Sequence, residues 1–201
     1  MKALRQGWIK LFLAGFLIAA ACTARSDDLD RPILLVAQPD LQGMYSRTAL
    51  LAVPVAGGQH VGFIINRATD VTLAKLFPEH APSAKVVDPV YFGGPVMLGS
   101  IFAIIKRDPG APSVRLFGDV FVTGNGAMVD QIIEQTPNDA RYFTGFVGWE
   151  AGELAKELEA GYWYVTDPDP ALVFSDQAGA TMWEDLLKRV GKPAVPGMNS
   201  I

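Results

Sequence analysis

Pro89-Val90-Tyr91-Phe92-Gly93-Gly94-Pro95-Val96 is the stretch on which the fold turns: an apolar, β-branched and aromatic run broken by Gly-Gly-Pro. The run predicts a strand from Val86 to Phe92, and the break predicts one sharp change of chain direction. Glycine reaches φ > 0 and admits close backbone approach, while Pro95 fixes its own φ and restricts Gly94 before it. The stretch encodes geometry and carries no reactive group.

Working outward, Ile33-Leu34-Leu35-Val36-Ala37 is a continuous apolar run that suits a strand buried on both faces. Thr48–Val55 and His60–Asn66 are two further strands joined through Gly57-Gly58, a hairpin signal. Thr69 or Asp70 is placed to cap a short helix carrying Leu73, Leu76 and Phe77, stopped by Pro78. Beyond the Gly-Gly-Pro break, Ile101–Ile105, Val114–Phe117 and Val120–Thr123 read as strands, the last two a hairpin about Gly118-Asp119. A helix is expected over Ala127–Gln135 and a strand over Tyr142–Val147.

Glu150–Ala160 is the best amphipathic helix, with Ala151, Leu154, Ala155 and Leu158 inward, Lys156, Glu157 and Glu159 outward, and Gly161 at C′. Tyr162–Val165 and Leu172-Val173-Phe174 read as strands, and Met182, Trp183, Leu186, Leu187 and Val190 form the face of a last helix. Strands outnumber helices and several are joined by hairpins. The fold class is therefore α+β: one compact domain with a mixed, largely antiparallel sheet and a few flanking helices.

With 201 residues, half of them hydrophobic, the chain has ample material for one core. Its net charge of −4 includes Lys2, Arg5 and Lys10, so the body without the N-terminus is more acidic still. Such a body lacks the basic footprint through which proteins contact phosphates, which argues against a nucleic-acid partner.

Those three cations precede the apolar run Leu11–Ala21, which is shorter than the roughly 20 residues a spanning helix requires and closes on small side chains. This is the pattern of a signal peptide, residues 1–21, and it predicts export. Ile18-Ala19-Ala20-Ala21-Cys22 resembles a bacterial lipobox, so Cys22, the one cysteine, is the candidate lipidation site. A lipid anchor would hold the protein on the periplasmic face of a membrane; ordinary cleavage after Ala21 would leave it soluble there. Residues 22–31 read as a polar tether, 32–192 as the domain and 193–201 as a loose tail.

No cofactor is expected. His60 and His80 are the only histidines, and neither stands at metal-ligand spacing. There is no Gly-x-Ser-x-Gly elbow, Walker loop or dinucleotide fingerprint. Thr123-Gly124-Asn125-Gly126 before a helix has two readings, an anion site on backbone N–H groups or a plain N-cap by Asn125.

Arg47 with Thr48, and Asn66 with Arg67, flank apolar strands where two guanidinium groups at one rim would clamp a small anionic ligand. The alternative is structural, with Asn66 supporting a turn and Arg67 paired with a carboxylate. Glu150, Glu153 and Glu157 share one helix face, either a solvated face or one where like charges raise a pKa for acid/base work; a hydrolase would use Glu150 or Glu153 with Arg47.

Taken together, Leu35-Val36-Ala37-Gln38-Pro39-Asp40-Leu41, Tyr45-Ser46-Arg47-Thr48, Gly62–Arg67, Val90–Val96, Gly145–Leu154 and Trp163–Thr166 resemble the AlgH/YqgE family of bacterial proteins, in family order. The resemblance implies a bifurcated, barrel-like sheet and no established catalytic activity. Some members are labelled transcriptional regulators, and members are typically cytoplasmic, which an exported chain is not. This sequence departs from the family pattern at Gln42-Gly43, Ala68 and Glu153.

The expectation is thus a non-enzymatic binding or regulatory protein acting on a protein partner or small anionic ligand. Its candidate rim comprises Arg47, Thr48, Asn66, Arg67, Gly93, Gly94, Trp149 and Glu153. The alternatives are a cytoplasmic regulator and a hydrolase using Glu150 or Glu153 with Arg47.

Overall fold

In the computed structural model, which describes residues 29–177 and 179–191, the strand Ile33–Ala37 (β1) is fully buried along its length. It pairs antiparallel with Ala49–Pro54 (β2), Leu35 opposite Leu50, and on its other side with Trp163–Thr166 (β9), Ala37 opposite Trp163. β2 turns through Ala56–Gly58 into His60–Ile64 (β3). The signal peptide, Cys22, most of the tether and the loose tail lie outside the described residues.

The remaining strands are Tyr91–Phe92 (β4), Val96–Ile105 (β5), Val114–Phe117 (β6), Val120–Thr123 (β7) and Ala140–Trp149 (β8). They extend the sheet in the order β6-β7-β5-β8-β3-β2-β1-β9, all antiparallel, with β4 lying parallel to β8 off that path. The mixed, largely antiparallel α+β architecture expected from the sequence is what forms, as a curled half-barrel.

β8 produces the curl. Its first half pairs with β5, from Ala140 opposite Ile105 to Thr144 opposite Ile101, and its last residues pair with β3, Val147 opposite Gly62. Gly145 lies between them at φ 66°, a left-handed conformation that bends the strand as a bulge does. Opposite the bend, β5 loses register between Val96 and Ile101, and Met97 sits at φ 56°.

The Gly-Gly-Pro break fills the fork. Gly93 donates its N–H to Thr144 O (2.9 Å), and its carbonyl accepts the Ile64 N–H (2.9 Å), tying β8 to β3 where they diverge.

Five helices cover the sheet among the described residues: Leu73–Leu76 (α1), Gly126–Gln135 (α2), Glu153–Glu159 (α3), Pro170–Val173 (α4) and Gly179–Val190 (α5). α2 places Met128, Val129, Ile132 and Ile133 against Ala103, Ile105 and Phe121, while α5 buries Met182, Trp183 and Leu186 over β1, and Trp183 Nε1 donates to Ala37 O (2.9 Å).

The structure corrects several local expectations. The Val86–Phe92 strand shrinks to Tyr91–Phe92: Pro89 lacks an N–H, and Val90 and Phe92 bond the incoming loop at Val71 O and Arg67 O. Leu172–Phe174 is not a strand. Asp169 accepts the Ala171 N–H (2.8 Å) and Pro170 takes the first helical position, so α4 forms instead. The cap of α1 is Thr72, because the Thr69 hydroxyl is committed to Val90 O, and Leu76 and Phe77 are left largely exposed.

α3 starts only at Glu153, after Gly152 at φ 77°, so Ala151 is exposed. Its end follows expectation, with Gly161 at C′ and the paired Gly161 N–H to Leu158 O and Tyr162 N–H to Glu157 O bonds of a Schellman motif.

Candidate functional site

Asn66, in the turn after β3, has every polar atom of its side chain engaged. Its Oδ1 accepts the Ala49 N–H (2.9 Å), and its Nδ2 donates to Arg47 O (3.0 Å) and Gly179 O (2.8 Å), joining β2, the loop before it and α5. Arg67 donates to the carbonyls of Met44 and Ser46 and lies 5.9 Å from the Phe92 ring centre. Burial lowers its pKa. It therefore anchors the loop through carbonyl oxygens, where the sequence suggested a carboxylate partner.

Thr48 is fully buried and donates its hydroxyl to Tyr45 O (2.8 Å). Arg47 is exposed, at φ 56°, with its guanidinium 5.5 Å over the Trp183 ring. Arg47, Thr48, Asn66 and Arg67 form one neighbourhood; Gly93 adjoins it through the Ile64 N–H on its carbonyl, whereas Gly94 packs on the Phe146–Val147 backbone of β8.

Trp149 and Glu153 belong to another. Trp149 stands opposite His60 at the start of β3, whereas Asn66 follows its end. Trp149 Nε1 (3.1 Å) and Trp163 Nε1 (2.8 Å) both donate to Glu157 Oε2, so Glu157, expected on the outer face, turns inward to join two buried indoles. Glu157 and Glu153, after the larger effect of burial, also raise the Tyr45 phenol pKa.

The Glu153 carboxylate accepts the Glu150 N–H (2.9 Å), and Glu150 accepts from Gln59 Nε2 (2.7 Å). The two glutamates and Arg47 thus have separate partners. Asn125 is the N-cap of α2, accepting the Met128 N–H (3.1 Å). His80 Nδ1 meets Ser83 Oγ (2.9 Å), and His60 Nε2 donates to Leu29 O (2.9 Å), which ties the end of the polar tether to the fold. Among the described residues no group of three or more His, Cys, Asp or Glu side chains could hold a metal ion.

Sequence reasoning missed two features. Arg141 is 2% exposed in β8: it pairs with Asp88 (3.1 Å), donates to Val173 O and Ser175 O, and lies 4.5 Å from the Tyr91 ring centre. An arginine inside an apolar run is the sequence signal for such a buried pair.

The second is an open cleft of about 500 Å³ lined by residues of β2, β3, β5, β6, β7 and β8. Its floor is Phe63, Phe102 and Phe146, packed edge to face with centroids 5.6–5.7 Å apart, and Val53, Val61 and Val122 stand around them. Its size and apolar lining are those of a ligand site. Each strand here is apolar on both faces, so periodicity alone did not reveal which face helices leave uncovered.

The model of the family described as DUF179: AlgH-like matches residues 34–195. Among curated relatives, a UPF0301 protein of Chlorobium limicola is 29% identical over 179 residues, covering 83% of this chain and 94% of the relative. One from Chlorobium chlorochromatii is 30% identical over 179 residues, covering 83% and 93%. Of solved structures, the solution structure of AlgH from Pseudomonas aeruginosa superposes with a TM-score of 0.68 at 22% identity, covering 87% of this chain and 98% of that one. A crystal structure of a Corynebacterium diphtheriae protein superposes with a TM-score of 0.64 at 24% identity, covering 81% and 86%. At these identities the two structures establish the fold.

Proposed function

The chain belongs to the AlgH-like family, which has no established biochemical activity, and from that premise we propose a non-enzymatic binding protein whose ligand enters the cleft. The observation that carries this reading is the cleft itself: a ligand-sized apolar hollow floored by three phenylalanines, with no nucleophile-and-base pair at its walls. Of the charged rim residues, Arg67 is held by the carbonyls of Met44 and Ser46 and Glu153 by the Glu150 N–H, while Arg47 is exposed over the Trp183 ring.

The N-terminal pattern supports export and acylation at Cys22, and an acylated Cys22 would hold the binding domain at the periplasmic face of a membrane.

Two measurements test this reading. The apolar dye anilinonaphthalene sulfonate should brighten on the purified chain and fail to do so when the cleft mouth is narrowed by Val55→Trp; a dye response unchanged by that substitution refutes the cleft. Turnover of ester, phosphate or glycosidic substrates that Glu153→Gln abolishes would establish the hydrolase instead. For location, the native mass should begin at acylated Cys22, whereas a retained N-terminus supports the cytoplasmic regulator.

A further inference from the structure

The sheet leaves one stretch of β5 unpaired. Among the described residues, β7 pairs with β5 only at Ala103–Ile105, and β8 meets Val96 and Ile101 with no register partner between them. Leu98 to Ile101 thus present a strand edge on the β7 side. Edges of this kind are ordinarily blunted by a charge or a proline, and neither occurs between Val96 and Ile105.

The side chains beside the edge are apolar and open to solvent. Val96, Met97 and Leu98 are exposed, and Leu98 shares a shallow hollow of about 280 Å³ with Leu76 and Phe77, which are exposed as well. No charged side chain lines that hollow. A lipid surface would cover these side chains and leave the backbone N–H and C=O groups of the edge without partners. An added strand satisfies both. A second copy of the same edge fits for a further reason: a two-fold contact brings each residue near its own twin, where a charge would repel itself, and the run from Pro89 to Ile105 carries none.

We propose that this edge of β5 pairs antiparallel with the same edge of a second copy, centred on Gly99. The two Leu98 side chains then lie diagonally across the pair on one face, with Leu76 and Phe77 of each copy beside them. Gly99, where a Cβ would meet nothing within 4 Å, puts no side chain at the centre. Five exposed apolar side chains from each copy, against the roughly 20–30 residues a side of a standard interface, make the dimer weak.

Sedimentation equilibrium of the purified full chain should show monomer and dimer in exchange, with a dissociation constant on the order of 10–100 μM. Leu98→Lys should weaken the dimer about tenfold, since it sets two cations near each other, and mixing that variant with Leu98→Glu should restore association. Phe77→Lys, on a separate element, should weaken it likewise. Tyr162→Lys, at an exposed position beside β9 at the far end of the sheet, should leave it intact. Amide hydrogen exchange over Leu98–Ile101 should slow as the dimer forms. A mass independent of concentration, a dimer indifferent to both Leu98→Lys and Phe77→Lys, or a dimer whose edge amides exchange as fast as the monomer's overturns the pairing. So does a chain that stays monomeric and binds phosphatidylglycerol vesicles through Leu98, which would assign the patch to a membrane.

Discussion

Gly93 and Gly145 meet backbone to backbone: a Cβ on Gly93 would lie 2.3 Å from the Gly145 carbonyl oxygen, and one on Gly145 would lie 2.3 Å from that of Gly94. No side chain fits between them, and this contact closes the fork at which β8 leaves β5 for β3. Gly93→Ala should therefore cost about 2–3 kcal/mol, because the opposing atoms are main chain and cannot rotate away. Gly99, where a Cβ would meet nothing within 4 Å, should accept alanine within about 0.5 kcal/mol. Urea unfolding of the two variants checks the contrast, and equal losses would refute it.

Asn66 should be irreplaceable by its nearest isostere. In Asn66→Asp an oxygen replaces the Nδ2 that now donates to Arg47 O and Gly179 O, and a largely buried carboxylate facing two carbonyls favours its protonated form. Its folded pKa thus rises above the unfolded value of about 3.9. The sign follows: the stability retained in acid is lost as pH climbs through that raised pKa, so the deficit against the parent grows to about 2–3 kcal/mol at neutral pH. Unfolding midpoints across the acid range measure it, and a deficit that does not change with pH would contradict it.

Glu157 holds the indoles of Trp149 and Trp163 on one oxygen. Glu157→Ala should cost about 2 kcal/mol and shift tryptophan emission to the red, since both donors lose their acceptor. Glu157→Gln, which keeps an acceptor oxygen, should cost less. The ordering of the two variants, in stability and in emission, is the check.

Tyr142 is fully buried and donates its hydroxyl to Pro137 O (3.2 Å). Burial, with a smaller contribution from Asp139, raises its phenol pKa far above the ordinary value of 10.0. The neutral phenol is thus the form the fold favours, and stability falls as pH passes about 10, where the unfolded chain begins to release its proton. A difference titration of tyrosinate absorbance between the parent and Tyr142→Phe should show the missing component above that pH, with the phenylalanine variant losing less stability there. A component at the ordinary value would refute this.

Much of the frame was legible locally. The unbroken run Ile33–Ala37 announced a strand covered on both faces, the Gly57-Gly58 turn a hairpin, and Gly161 the end of a helix, because each depends on near neighbours. Where local preference misled, a partner distant in sequence had taken the group in question. Thr69 was already held by Val90, and Glu157 left the outer face of α3 because two indoles from different strands needed one acceptor.

The α+β class, the family and the Gly-Gly-Pro break as a point of sharp geometry could all be read along the chain. These follow from periodicity, turn chemistry and motif order along the chain. That the break packs against Gly145, that Asn66 and Arg67 are consumed by backbone partners, and that Phe63, Phe102 and Phe146 line one cleft depends on contacts between distant segments. A strand apolar on both sides does not say which side will be covered; that is settled by where the helices land and by how β8 bends.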